Sequence, residues 1–276
     1  MSGPLADALS LEVVATGLDH AEGICWDADR GCLWAGGEAG QVYRIVPGVS
    51  VSVVAQIDGG ALLGVALDAA GDLYLCDPGN HRVWRYDHRG APRPYGPVID
   101  YPNYASFADD GTLYVSDSGS WTEATGALWA IAPDESARRL DVAPIAFANG
   151  LYVNEGYLYY IASALPGVWR VPLAGGAEEL VAEMERCVPD GLALDAEGSL
   201  YVSCYQPNQL WRLRRDGALE LVFDDWTGEY VLSPTNIAFY GERLERLALA
   251  SLCGHNVTSV SLGVPGMAVR RPDVKE

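Results

Sequence analysis

Basic residues are scarce: 18 arginines and lysines stand against 37 aspartates and glutamates, Lys275 is the sole lysine, and the net charge is −19. A chain this acidic repels nucleic-acid phosphates and anionic lipid headgroups, so neither is expected as a partner. No run of 18 apolar residues occurs, which excludes a membrane-spanning helix. The first residues, MSGPLADALSLEVVATG, lack a basic start followed by an apolar stretch, so a cytosolic protein is expected. The six cysteines (Cys25, Cys32, Cys76, Cys187, Cys204 and Cys253) never fall at C-x-x-C spacing. That argues against a zinc knuckle and for packed, reduced thiols. A convincing 3.6-residue apolar period is also missing, and with it any strong signal for helix. What remains is an ordinary globular composition, 49% apolar and 20% charged, in 276 residues expected to form a single domain, 1–276, monomeric or weakly homo-oligomeric.

The chain repeats itself. A turn ending in glycine followed by Leu-aromatic recurs as GCLW (31–34), GDLY (71–74), GTLY (111–114), GYLY (156–159) and GSLY (198–201). About ten residues later, each is answered by QVYRI, RVWRY, ALWAI, GVWRV or QLWRL, and a sixth, degenerate pair is LALAS (247–251) with NVTSV (256–260). Short alternating β-branched and aromatic runs between Gly/Asp/Asn turns read as strands. A period of about 43 residues holding four such strands is that of a propeller blade, so the sequence predicts an all-β, six-bladed β-propeller. The sixth blade lacks a good outermost strand, whereas LEVVATGL (11–18) resembles the outer strands of other blades. The N-terminal stretch is therefore expected to close the ring, which removes an open sheet edge. Trp84, Trp129, Trp169 and Trp211, with Tyr43 as their counterpart, share one repeat position and are assigned to inter-blade packing. Asp27, Asp68 and Asp195 are assigned to turns.

One repeat position breaks the pattern. Just before each inner strand stand Glu22, Leu63, Asn103, Asn149, Asp190 and Thr235, at intervals of 41, 40, 46, 41 and 45 residues. Inner strands line the channel of a propeller, so these positions form a ring at one height. Glu22, Asn103, Asn149 and Asp190 converge there with oxygen donors and a formal charge of −2, a set suited to calcium, magnesium or manganese. A water-filled polar channel mouth is the alternative.

The chain also resembles the senescence marker protein, gluconolactonase and luciferin-regenerating enzyme family of six-bladed propellers. E-G-x-x-W-D at 22–27, P-N at 102–103, N-G-L at 149–151, P-D-G-L-x-x-D at 189–195, P-T-N-I-A-F at 234–239 and G-V-P-G at 263–266 carry the resemblance, in order and blade by blade. It implies one divalent metal, with calcium ahead of magnesium, manganese and zinc. Its ligands would be Glu22, Asn149 and Asp190, with Asn103 beside the metal and holding substrate. Where the family usually keeps Asp and Arg in the third blade, this chain reads Tyr101-Pro102-Asn103-Tyr104, so a less hydroxylated, more aromatic small-molecule substrate is expected. Trp121 and Tyr205 are candidates for the same wall, and His20 for a relay beside Glu22 or a structural turn. The activity implied is metal-dependent hydrolysis of a lactone or related ester, with Asp190 taking a proton from water and Asn103 donating to the oxyanion. A cyclase, isomerase or phosphotriesterase could use the same site. A second likeness, of GDLYLCDPGNHRVWRYD (71–87) to an NHL repeat, leaves a non-catalytic binding propeller open.

Overall fold

A computed structural model describes residues 11–274 and consists of six four-stranded antiparallel sheets. Their inner strands are Ile24–Asp27, Val65–Leu67, Pro102–Phe107, Ala148–Asn154, Val188–Leu194 and Pro234–Tyr240. Each packs against the next and the last against the first, so the sheets are blades of a closed propeller. The limits of the expected single domain, residues 1–10 and 275–276, lie outside the described residues.

Ring closure follows the expected route. Leu11–Thr16 pairs antiparallel with Asn256–Ser261 and becomes the outermost strand of blade 6. The Arg246 guanidinium, reaching Glu12 at 2.6 Å, adds an ion pair across the join. In blades 2 and 3 the outermost strands, Arg93–Tyr95 and Ala137–Arg139, are only three residues long and were not apparent from the repeat.

The repeat residues take the structural roles their chemistry suits. Trp84, Trp129, Trp169 and Trp211 are half-buried against the apolar clusters between blades rather than wholly inside them. The indole N–H groups of Trp84, Trp129 and Trp211 find partners at the edge, as in Trp84 Nε1 donating to Asp77 Oδ2 at 2.8 Å. Asp27, Asp68 and Asp195 are fully buried and accept turn N–H groups, Asp195 those of Glu197 and Ser199. They are structural carboxylates.

Two devices place the channel side chains. In blades 3 to 6 the register between inner and second strands slips at the same place: between Pro102 and Ala105, Ala148 and Leu151, Pro189 and Leu192, and Pro234 and Ile237. A bulge there adds a residue to the inner strand and re-aims its side chain. In blades 4 and 5 glycine follows, because neighbouring blades touch at this height. A Cβ on Gly150 would lie 2.3 Å from the Asp190 carbonyl oxygen, and one on Gly191 would lie 2.5 Å from that of Thr235. The x-G dipeptide thus marks where backbone meets backbone.

Candidate metal centre

The end of the channel where the inner strands begin, its entry end, opens into a cavity of about 250 Å³. Glu22, Asn103, Asn149 and Asp190 all line it and are all buried. Blades 1, 3, 4 and 5 supply one each, as the repeat alignment requires. The two remaining ring positions differ: Leu63 of blade 2 lines the wall, and Thr235 of blade 6 turns its hydroxyl to the Glu22 carbonyl at 3.1 Å.

The hydrogen bonds within this ring orient its oxygens. Asn149 Nδ2 donates to Asp190 Oδ2 at 3.0 Å and lies 3.3 Å from Ser163 Oγ, while the Ser163 hydroxyl donates to the Pro189 carbonyl at 2.7 Å. Ser163 holds the amide so that its nitrogen faces Asp190, which leaves Asn149 Oδ1 without a partner. Asn103 Oδ1 and Asp190 Oδ1 are likewise buried and unpartnered. Orphaned buried acceptors are rare, because each forfeits its hydration for nothing.

The carboxyls are also out of balance. Burial, then the charge of Asp190 and then that of Glu38, push the Glu22 carboxyl up to about 8. Burial raises Asp190 to about 7 against the opposing hydrogen bond from Asn149. Two buried carboxyls that resist ionisation, together with three orphaned acceptor oxygens on three blades, fit a hard divalent cation better than they fit one another. Glu22, Asn149 and Asp190, with Asn103 adjacent, are the residues that could hold it.

The cavity wall is aromatic. Tyr101, Trp121 and Tyr205 line it as expected, and so does Phe147, which the sequence did not single out. Phe147 is central to that wall: its ring lies 4.7 Å from Trp121 edge-on and 6.1 Å from Tyr101. Tyr104 is the correction. It lines the opposite end of the channel, with its hydroxyl 3.5 Å from the Leu192 carbonyl oxygen, and belongs to an apolar cluster. The reason is register, since Tyr104 follows Asn103 as Gly150 follows Asn149 and Gly191 follows Asp190. A side chain there departs from the entry end.

His20 sits on the rim with positive φ, its Nδ1 3.2 Å from Asp19 Oδ1 and 3.1 Å from Glu38 Oε2, and its ring 4.7 Å from that of His255. Asp19, His20 and Glu38 bring their ligand atoms within 4.8 Å of one another. They form a polar lip, and Glu38, like Ser163 and Phe147, lay off the repeat position that marked the ring.

The fold corresponds to those of known proteins. The chain belongs to the SMP-30/gluconolactonase/LRE-like family, whose model matches residues 99–252. An NHL repeat matches residues 62–86, within blade 2 and its approach. Among solved structures it is similar to a luciferin-regenerating enzyme (19% identity, TM-score 0.80, covering 96% of this chain and 100% of that one). It is also similar to a calcium-binding regucalcin from Agrobacterium tumefaciens (16% identity, TM-score 0.79, coverage 97% and 98%). A third is a gluconolactonase from Xanthomonas campestris (20% identity, TM-score 0.77, coverage 96% and 92%). Among curated proteins, no sequence matches the chain.

Proposed function

We propose that the protein is a divalent-metal-dependent hydrolase of a lactone or related ester, acting at the entry end of the channel. The observation that carries this reading is the convergence of three orphaned acceptor oxygens, on Asn103, Asn149 and Asp190, with the buried carboxyl of Glu22 at one cavity. Membership of a family that includes gluconolactonases agrees with it.

Glu22, Asn149 and Asp190 would hold a divalent ion, which would supply Lewis-acid polarisation of a carbonyl oxygen. The chain's own groups do the rest. The Asn149 amide fixes Asp190 through Oδ2, and the Asp190 carboxylate so positioned accepts a proton from the attacking water. As water adds to the carbonyl carbon, the Asn103 amide donates to the oxygen that gains charge. The ring C–O bond then breaks, and the proton on Asp190 passes to the departing alkoxide, so lactone and water give a hydroxy acid.

The wall of Tyr101, Trp121, Phe147 and Tyr205 selects the substrate's body. No arginine or lysine lines this cavity among the described residues, so few cationic donors face a polyol. Aryl and alkyl lactones are therefore the substrate class we propose over aldonolactones, since four aromatic side chains offer an apolar or planar body more contact than they offer a chain of hydroxyl groups. The test is kcat/KM across a panel of both classes, with and without chelator. The reading expects chelator-sensitive turnover and at least about a tenfold preference for aryl or alkyl lactones. Turnover that ignores the chelator overturns the metal role, and a tenfold preference for aldonolactones overturns the substrate class.

A further inference from the structure

Two of the six cysteines stand apart from the rest. Cys187 immediately precedes the inner strand of blade 5, and Cys204 lies in that blade's second strand, Leu200–Gln206, opposite Pro189. Their sulfurs are 3.0 Å apart, inside the contact distance of two unbonded sulfurs, with the Cys204 thiol donating to Cys187. Cys25, Cys32 and Cys76 are buried without such a contact, and Cys253 is exposed. Cys187 also borders two clefts of the outer surface, one with Met184 and Trp211 and one with Arg186, Gln206 and Trp226. A small oxidant has a way in to one sulfur of the pair.

We propose that Cys187 and Cys204 are a redox-responsive dithiol that closes to a disulfide under hydrogen peroxide and ties the start of the strand bearing Asp190 to the second strand of its blade. The asymmetry of the pair assigns the roles. The hydrogen bond from Cys204 holds the Cys187 thiol below its usual range, whereas burial holds Cys204 above it, so Cys187 is the sulfur that attacks. Cys187 thiolate displaces hydroxide from the peroxide O–O bond and becomes a sulfenic acid, which oxidises that sulfur. Cys204 then attacks Cys187 Sγ, its proton leaves with the sulfenic oxygen as water, and the S–S bond forms. In sum, two thiols and one peroxide give one disulfide and two waters.

The consequence is local. Asp190 stands three residues after Cys187, and Tyr205 directly follows Cys204, so the closed pair ties together the chain segments that carry both. The inference is independent of the reaction proposed above.

The experiment uses the full chain carrying Cys253→Ser, which removes the exposed thiol. Treatment with hydrogen peroxide is followed by intact mass measurement, mapping of linked peptides and thermal melting. The mass should fall by two hydrogens, a peptide pair joining residues 187 and 204 should appear, and the melting temperature should rise and return on reduction. Adding Cys204→Ser should instead trap the Cys187 sulfenic acid, captured by dimedone. Two free thiols at 187 and 204 after treatment would overturn the proposal. So would oxidation of Cys187 to a sulfinic acid while Cys204 stays a thiol.

Discussion

The two ends of the channel are built by the same six inner strands and have opposite chemistry. The entry end has the smaller cavity, about 250 Å³, with two carboxyls and orphaned acceptor oxygens. The exit end has the larger one, about 310 Å³, lined mainly by apolar groups such as Val65, Leu151, Leu192 and Ile237, with Glu242, Arg270 and Arg271 among the rest. Its unpartnered polar atoms, Trp26 Nε1 and Tyr152 Oη, can donate hydrogen bonds, whereas those of the entry end are acceptors. The chain's last described segment crosses this exit end, with Met267 N bonded to the Leu194 carbonyl and Ala69 N to that of Pro272. Arg271 adds an ion pair to Asp29 at 2.8 Å. Size alone would choose the wrong end. In blades 3 to 5 the bulge separates them, turning Asn103, Asn149 and Asp190 toward the entry end before regular alternation resumes.

The largest effects should come from removing charge at the entry end. Glu22→Gln and Asp190→Asn should each lower kcat/KM by at least about a hundredfold, while circular dichroism and melting stay cooperative. The exit end should behave the other way. Leu192→Ala should cost about 2–5 kcal/mol of stability by denaturant unfolding and leave kcat/KM within a few-fold. If Leu192→Ala abolished activity in a folded protein, the division between the two ends would fail.

Gly191→Val probes the junction between them. Its Cβ would fall 2.5 Å from the Thr235 carbonyl oxygen and 2.9 Å from the Asn236 Cα, both backbone atoms of the neighbouring blade that cannot swing aside. Equilibrium unfolding should show a loss of about 3 kcal/mol, and activity should fall as Asp190 shifts.

The carboxyls give a pH test with a definite sign. Glu22 and Asp190 have folded values of about 8 and 7, above those of an unfolded chain. The folded state therefore binds more protons, so the contribution is present in acid and lost as pH rises through about 7 to 8. In chelator, the melting temperature should fall between about pH 5 and 9, and Glu22→Gln should fall less. A divalent ion should flatten the wild-type profile. The smallest effect expected is that of Tyr104→Phe, less than about 1 kcal/mol with unchanged kinetics, because its 3.5 Å hydrogen bond is weak. Tyr101→Ala should raise KM for an aryl lactone instead.

How much of this was legible in the sequence depended on repetition. The blades could be counted because each carries the same Leu-aromatic phrase, and the oxygen ring stood out because Glu22, Asn103, Asn149 and Asp190 share a single repeat position. The closing strand could be read because Leu11–Thr16 repeats the pattern of the other outer strands. Residues outside the repeat stayed silent. Phe147 and Glu38 reach the cavity from connecting loops, and Ser163 acts through Asn149 across 3.3 Å, a contact that no spacing reveals. Tyr104 was legible but misread: it stands at the glycine position of blades 4 and 5, which already pointed its side chain away from the mouth.

The central claim is that the entry ring holds one divalent cation, and elemental analysis of protein purified without chelator tests it most directly. The account predicts one equivalent of calcium, magnesium, manganese or zinc per chain, lost in Asp190→Asn and Glu22→Gln but retained in Leu192→Ala. Metal-free protein whose melting curve ignores all four ions would contradict it.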